Sequence, residues 1–192
     1  MANGRVITGF SKPYVAKYAA SEGTVTYSNG QVLARGVEVQ IEPEATEDNN
    51  FYADNIIAEN EAGIFTGGTL TLTVDGLKNA ANKLIYGLPT ATGGWTDYDN
   101  TQAIPHVGVG FVVRVQEGGV VHYVPMILNK VMFNEAATSA ATQEESIDWQ
   151  TQELTAQIFR DDTTTQCWKK LGDEQTTEAL AEAEIKNYFN IS

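Results

Sequence analysis

With 192 residues and a net charge of -13, from 12 Lys and Arg against 25 Asp and Glu, the chain has the length of one domain able to bury a real core. It lacks the cations that a nucleic-acid binder needs to neutralise phosphates, and its 42% apolar and 19% charged composition excludes a disordered chain. No apolar run approaches the ~18 residues that span a bilayer, the opening MANGRVITGFSKPY holds no apolar signal-peptide block, and a single cysteine, Cys167, excludes an internal disulfide and makes a reducing compartment of synthesis the default.

Met1 to Gln31 is weakly patterned and rich in Gly, Ser and Tyr; it predicts an arm with one short strand near Thr24 to Tyr27 and a turn at Ser28, Asn29 and Gly30. Val37, Val39 and Ile41 then alternate with Glu38, Gln40 and Glu42, the pattern of a strand with one buried face and one acidic, polar face. From Pro43 to Gly63 the period dissolves. The segment carries Glu44, Glu47, Asp48, Asp54, Glu59 and Glu61, and no Lys or Arg occurs between Arg35 and Lys78. A stretch this long without a period reads as a functional or a disordered loop, and Phe51, Tyr52, Ile56 and Ile57 argue for one that docks on something.

Thr69 to Asp75 alternates again, with Leu70, Leu72 and Val74 on one face and Thr69, Thr71 and Thr73 on the other. Asp75 is placed to cap a helix whose apolar stripe is Leu77, Ala80, Ala81, Leu84 and Ile85, ended by Gly87. Leu88 to Pro105 is a second long loop. The most apolar stretch follows, Val107 to Phe133: Val107, Val109, Phe111, Val113 and Val115 fall on one face of a strand, Gly118-Gly119 forms a tip, and Val120 to Phe133 returns. Pro125 should mark a sheet edge or a bulge, because it cannot donate to a ladder. After a loop from Asn134 to Asp148, Trp149 to Arg160 reads as a last strand with Leu154, Ala156 and Ile158 opposite Glu153, Thr155 and Gln157; beyond Trp168 a helix near Glu178 turns Ala181, Ile185, Tyr188 and Phe189 to one side.

Residues able to do chemistry are few. His106, His122 and Cys167 would have to supply every ligand of a zinc site and have no supporting spacing. Asp97-Tyr98-Asp99-Asn100-Thr101 begins like a calcium loop, but Gln102 stands where the turn glycine is needed and Gly108 where the closing Glu should be. Gly108 and Gly110 lie inside a strand, so they mark a close approach or a bend and not a phosphate cradle. No GxSxG elbow occurs. The chain is therefore read as a non-enzyme without metal or cofactor.

The order of features resembles the major tail protein, or tail-tube protein, of long-tailed bacteriophages. The residues carrying the resemblance are the strand Ala34 to Glu42, Tyr52-Ala53-Asp54-Asn55, Gly68-Thr69-Leu70-Thr71-Leu72, the helix ending in Tyr86-Gly87, Ile104 to Phe111, Tyr123 to Phe133, and the late strand before Trp168. The resemblance runs from the N-terminus to about Trp168 and implies a mainly β fold, a β-sandwich or partial barrel with one flanking short helix, and 43–65 as an extended inter-subunit loop. The chain is read as a single domain over 1–192, with 174–192 as a C-terminal helical extension taken from its own periodicity. Six subunits would close a shared inner β-barrel, and the rings would stack into a virion tail tube after synthesis in the bacterial host cytoplasm. Candidates to face the lumen are Glu38, Gln40, Glu42, Thr71, Thr73, Glu153 and Thr155, and Phe51, Tyr52, Asp54, Asn55 and Ile56 are candidates for the ring-stacking loop. The implied partners are further copies of the chain and the tape measure, tail terminator and distal tail proteins. DNA would pass without specific binding, and no membrane is involved. A negative wall suits such a path because it repels the phosphate backbone. The tube of a contractile tail or a tailocin is an alternative within the class, and a carbohydrate-binding β-sandwich using Trp95, Tyr98 and Trp149 is the alternative outside it.

Overall fold

The computed structural model describes residues 4–47, 49–53, 56–61, 63–89, 93, 95–138, 142 and 150–191, with backbone alone for 49–53 and 56–61. Its strands are β1 (Arg5–Ser21), β2 (Thr24–Val32), β3 (Gly36–Ala45), β4 (Asn49–Ala53), β5 (Ile56–Glu61), β6 (Phe65–Val74), β7 (Val107–Glu117), β8 (Val120–Phe133), β9 (Gln152–Phe159) and β10 (Lys169–Leu171). Helix α1 (Asn79–Tyr86) follows β6, and α2 (Glu178–Tyr188) closes the chain. One antiparallel sheet runs β2-β1-β7-β8-β9-β6-β3, with β10 added to β8, while β4 and β5 pair only with each other. The fold is mainly β, and the sheet curls without closing: Phe10 on β1 approaches Gly36 at the start of β3, but the two strands form no ladder. One sheet folded over takes the part of the two expected layers. No helix among the described residues is long and apolar enough to cross a membrane.

The centre of the sheet is the β7–β8 hairpin, turned by Gly118 and Gly119 at φ 56 and 85, the two-residue turn that suits the strand twist. Val107, Val109, Phe111, Val113 and Val115 all lie in the concave core, with Leu70, Leu72, Val74, Leu128, Val131, Leu154, Ala156 and Ile158 from the other strands. Helix α1 joins this core through Ala81, Ile85 and Tyr86, and Gly87 ends it in the left-handed conformation at φ 65. The opposite face of the same strands is buried too. Ala181, Ile185 and Phe189 at and beyond α2 pack with Tyr14, Ala16, Tyr18, Tyr27, Val112 and Ile127. Gly108 and Gly110 make this contact possible. A Cβ on Gly108 would stand 2.7 Å from the Phe189 ring, and one on Gly110 2.7 Å from Ile185, distances no packed side chain tolerates. The in-strand glycines are notches that seat side chains, Tyr27, Ile185 and Phe189, where the expectation was the close approach of another backbone or a bend.

Of five expectations, four are corrected and one, the fourth, is borne out. First, the segment from Arg5 to Val32 is a long hairpin, with a 17-residue strand β1 that turns at Glu22 and Gly23, φ 49 and 76; Ser28, Asn29 and Gly30 lie within β2. Second, most of the described residues between Pro43 and Gly63 are strand. The β3–β6 ladder continues to Thr46 and Ile64, and the β4–β5 hairpin follows beyond it, with Tyr52 opposite Ile57. Third, Asp75 does not cap α1. Lys78 occupies that position with no side-chain cap, and Asp75 accepts hydrogen bonds from the Arg35 backbone at 3.0 Å and from the Arg35 guanidinium, which hold its carboxyl below the usual range. Fourth, Pro125 does mark an irregularity: it stands opposite Val112 in the β7–β8 ladder, but on its other side β10 ends at Leu171 and the register slips by one residue before Tyr123 pairs with Gln175. Its carbonyl accepts from Gly172 at 2.8 Å, and a residue's N and O point the same way in an antiparallel strand, so the missing donor faces the end of β10 and the β7 ladder loses nothing. Fifth, Val37 on β3 is 58% exposed; Val39 and Ile41 are only half-buried, because β3 is a free edge over an open part of the curl.

Polar contacts fasten α2 as well. Thr177 caps it by accepting from Leu180, and Glu182 accepts from the Tyr14 hydroxyl with Lys186 at 2.9 Å and Lys12 at 3.3 Å. The Tyr14 hydrogen bond, then Lys186, hold the Glu182 carboxyl down to about 2. A carboxyl lowered in the folded state from an ordinary 4.5 stabilises fully above that value, and the contribution is lost as pH falls through the folded value. Thermal melts between pH 7 and 2 are expected to show a shallower acid limb for Glu182→Gln than for wild type. Identical limbs below pH 4.5 would remove Glu182 from the account.

Candidate functional site

The three strands β3, β6 and β9 form a curved wall whose concave side is the core and whose other side is polar. Strict alternation in TLTLTV puts Leu70, Leu72 and Val74 inward and leaves Thr69, Thr71 and Thr73 outward. Pairing aligns the neighbours to match. Glu38 lies opposite Thr73, which lies opposite Glu153; Gln40 opposite Thr71, opposite Thr155; Glu42 opposite Thr69, opposite Gln157. All seven residues proposed from sequence for a lumen therefore share one continuous face, drawn from segments more than a hundred residues apart in the chain. Gln157 and Thr69 complete it.

No Lys or Arg stands in these three rows. Strands lie about 4.8 Å apart, so Glu38 and Glu153, two strands apart, are separated by about 10 Å. That is close to the ~8 Å screening length at physiological salt, so their fields overlap. The Gln40 amide donates to Glu42 at 2.7 Å, which orients one carboxylate without neutralising it. The chemistry available to such a face is repulsion of anions and exchange of water through threonine hydroxyls.

Of the stacking-loop candidates, Phe51, Tyr52 and Ile56 lie on the backbone of the β4–β5 hairpin, whereas Asp54 and Asn55 lie outside the described residues. Trp95 is 77% exposed and Tyr98 53% exposed in the loop before β7; Trp149 lies outside the described residues. The histidines do not converge. His106 precedes Val107 at one end of the β7–β8 ladder and His122 pairs with Val115 toward the other. His106 packs edge-on against Phe159 and Tyr18, and burial pushes its imidazole below the ordinary value. Asp99 spends its carboxylate on the Thr101 backbone and hydroxyl, at 2.7 and 2.6 Å, so the calcium-like tract is a closed turn. Among the described residues no three His, Cys, Asp or Glu are grouped to hold a metal.

One polar cluster was not foreseen. Asn129, wholly buried, donates to Asp161 at 2.7 Å and to the Cys167 carbonyl at 3.2 Å, and accepts from Tyr188 at 3.3 Å; its carbonyl accepts from Tyr27 at 2.8 Å. Its signal was an amide inside the apolar run Met126 to Phe133, a placement that demands buried partners. The cluster's bonds are all internal, and it ties β2, β8 and α2 to the segment after β9. Compared with known proteins, the chain matches no family model and no curated protein, so function is argued from the geometry of the acidic wall and the sheet edges.

Proposed function

We propose that the chain is the structural subunit of a bacteriophage tail tube, assembling as hexameric rings that stack around an acidic lumen for genome passage. The observation that carries this reading is the cation-free face of β3, β6 and β9, on which Glu38, Gln40, Glu42, Thr71, Thr73, Glu153 and Thr155 stand in register over a packed core. A wall of this kind repels phosphate and offers DNA nothing to hold. The sheet ends support it. Among the described residues both β2 and β3 have one side without a strand partner, and an unpaired edge invites another chain. A ring of copies, each edge meeting the next subunit, satisfies every such edge and continues the wall into a shared barrel. The same wall suits a tube inside a contractile sheath or a tailocin.

Purified protein viewed by negative stain is expected to show rings or tubes with a stain-filled bore. Neither rings nor tubes at any concentration or with any seed would overturn the reading. Glu38→Lys with Glu153→Lys changes the wall by four charges per subunit. Tubes of this variant are expected to retain short duplex DNA at about 50 mM salt and release it by about 200 mM, whereas wild-type tubes retain none at either. Equal retention by both would remove the wall from the proposed lumen.

A further inference from the structure

A carboxamide passes to an amine when a donor polarises its oxygen, a carboxylate attends its nitrogen and a free amine can reach its carbon. Asn129 on β8 meets the first two conditions. Its Oδ1 accepts from the Tyr188 hydroxyl at 3.3 Å, and its Nδ2 donates to the Asp161 carboxylate at 2.7 Å and to the Cys167 carbonyl at 3.2 Å. Asn129 is wholly buried and Asp161 nearly so, which keeps water, the competing nucleophile, from the carboxamide carbon.

The amine stands on the next strand. β10 sets Lys170 opposite Ile127, and the Asn129 backbone donates to the Trp168 carbonyl at 3.0 Å, which carries the same register one step further. Asn129 shares a face with Ile127, because successive side chains alternate, so Lys170 is its diagonal neighbour. Such pairs have Cβ atoms about 7–8 Å apart, within reach of a long side chain. The Lys170 Nζ lies over the Tyr188 ring, 5.1 Å from its centroid, and Lys170 lines a cleft of 410 Å³ with Tyr27, Asp161, Cys167 and Tyr188. Lys130 is held by Asp162, and Lys169 lies over Trp168. Lys170 is exposed and makes no ion pair among the described residues.

We propose that Lys170 and Asn129 join in an intramolecular isopeptide bond, with Asp161 moving the proton and Tyr188 holding the developing oxyanion. The neutral Lys170 amine attacks Asn129 Cγ. Asp161 takes a proton from that nitrogen in the tetrahedral adduct and passes it to Nδ2, which leaves as ammonia. One C–N bond forms and one breaks, with no oxidation, and the proton that Lys170 shed to become a nucleophile departs on the ammonia as ammonium. The new amide keeps one N–H, which takes over the hydrogen bond that Nδ2 made to Asp161. The link ties β8 to β10 just ahead of α2 and needs no second copy of the chain, so it stands apart from the tube reading.

The intact mass of the full chain, incubated folded for days and then denatured, is expected to lie about 17 Da below the unlinked mass, the loss of one ammonia. Tandem spectra of a digest should show a branched peptide joining Lys170 to Asn129. Lys170→Arg keeps a cation over Tyr188 but brings no attacking amine, and it should retain the full mass. Asp161→Asn, under conditions where circular dichroism shows it folded, should link at least about a hundred-fold more slowly. Wild type that keeps its full mass at neutral and mildly alkaline pH overturns the inference. So does a loss that survives in Lys170→Arg, which would come from a succinimide at an Asn-Gly step such as Asn29-Gly30. A folded Asp161→Asn that links as fast as wild type overturns it too.

Discussion

Replacing Phe189 by alanine is expected to destabilise the fold by about 3–5 kcal/mol, the range for deleting a fully buried aromatic ring. Phe189 is 0% exposed and packs edge-on to Tyr27 at a ring separation of 4.9 Å. Its ring lies over Gly108 and Gly110, so no strand side chain can move into the space it vacates and the cavity persists. In urea, where m is ~1–3 kcal/mol/M for small proteins, the midpoint should fall by about 1 M or more. The notch gives a second, sharper test. Gly110→Ala should be costly in wild type, where its methyl meets Ile185 and Phe189 at 2.7 and 2.8 Å, and less costly in Phe189→Ala, so the two changes should couple. A loss under about 1 kcal/mol for Phe189→Ala, or strict additivity, would mean that α2 is not seated as described.

Asp161→Ala should cost about 3 kcal/mol, because it strands one buried and two part-buried donors at once. One carboxylate oxygen accepts from Asn129 at 2.7 Å; the other accepts from the Thr163 backbone at 3.1 Å and from its hydroxyl at 2.6 Å. Every neighbour is a donor. Asp161→Asn therefore does not rescue the site, since its NH2 must face one of them, and a loss of about 1–3 kcal/mol is expected. Two-state urea melts of both variants measure this. Wild-type stability in either would show that the cluster opens to water.

Among the strands legible in the sequence, β6 and β9 owe it to one wet face. β6 from Thr69 to Val74 and β9 along its length alternate because one side is core and the other is the polar wall, and both were read with the correct faces. β1 was missed for the converse reason. Tyr14, Val15 and Ala16 are consecutive and all buried, one side under α2 and the other in the concave core, while register shifts between Ile7 and Gly9 and between Ser11 and Tyr14 reset the phase. The β4–β5 hairpin carried no periodic signal because it pairs outside the main sheet. Asp75 was misassigned because a carboxylate before a helix can equally serve a strand terminus, and only the fold brings Arg35 alongside. The polar wall was predicted residue by residue, but its continuity was not: that depends on which strands are neighbours, and β9 reaches β6 only through the curl. Asn129 and Asp161 belong to the same class, since their partnership across the chain has no local mark.

Strand β7 is a party wall. Val107, Val109, Phe111, Val113 and Val115 belong to the concave interior, while Val112 and the two glycine notches belong to the layer beneath α2. Stripping away either tenant leaves the same strand bare on one flank, so the molecule has no seam along which to melt in halves. Heat or denaturant should meet a single all-or-none transition, with the C-terminal helix and the sheet lost together.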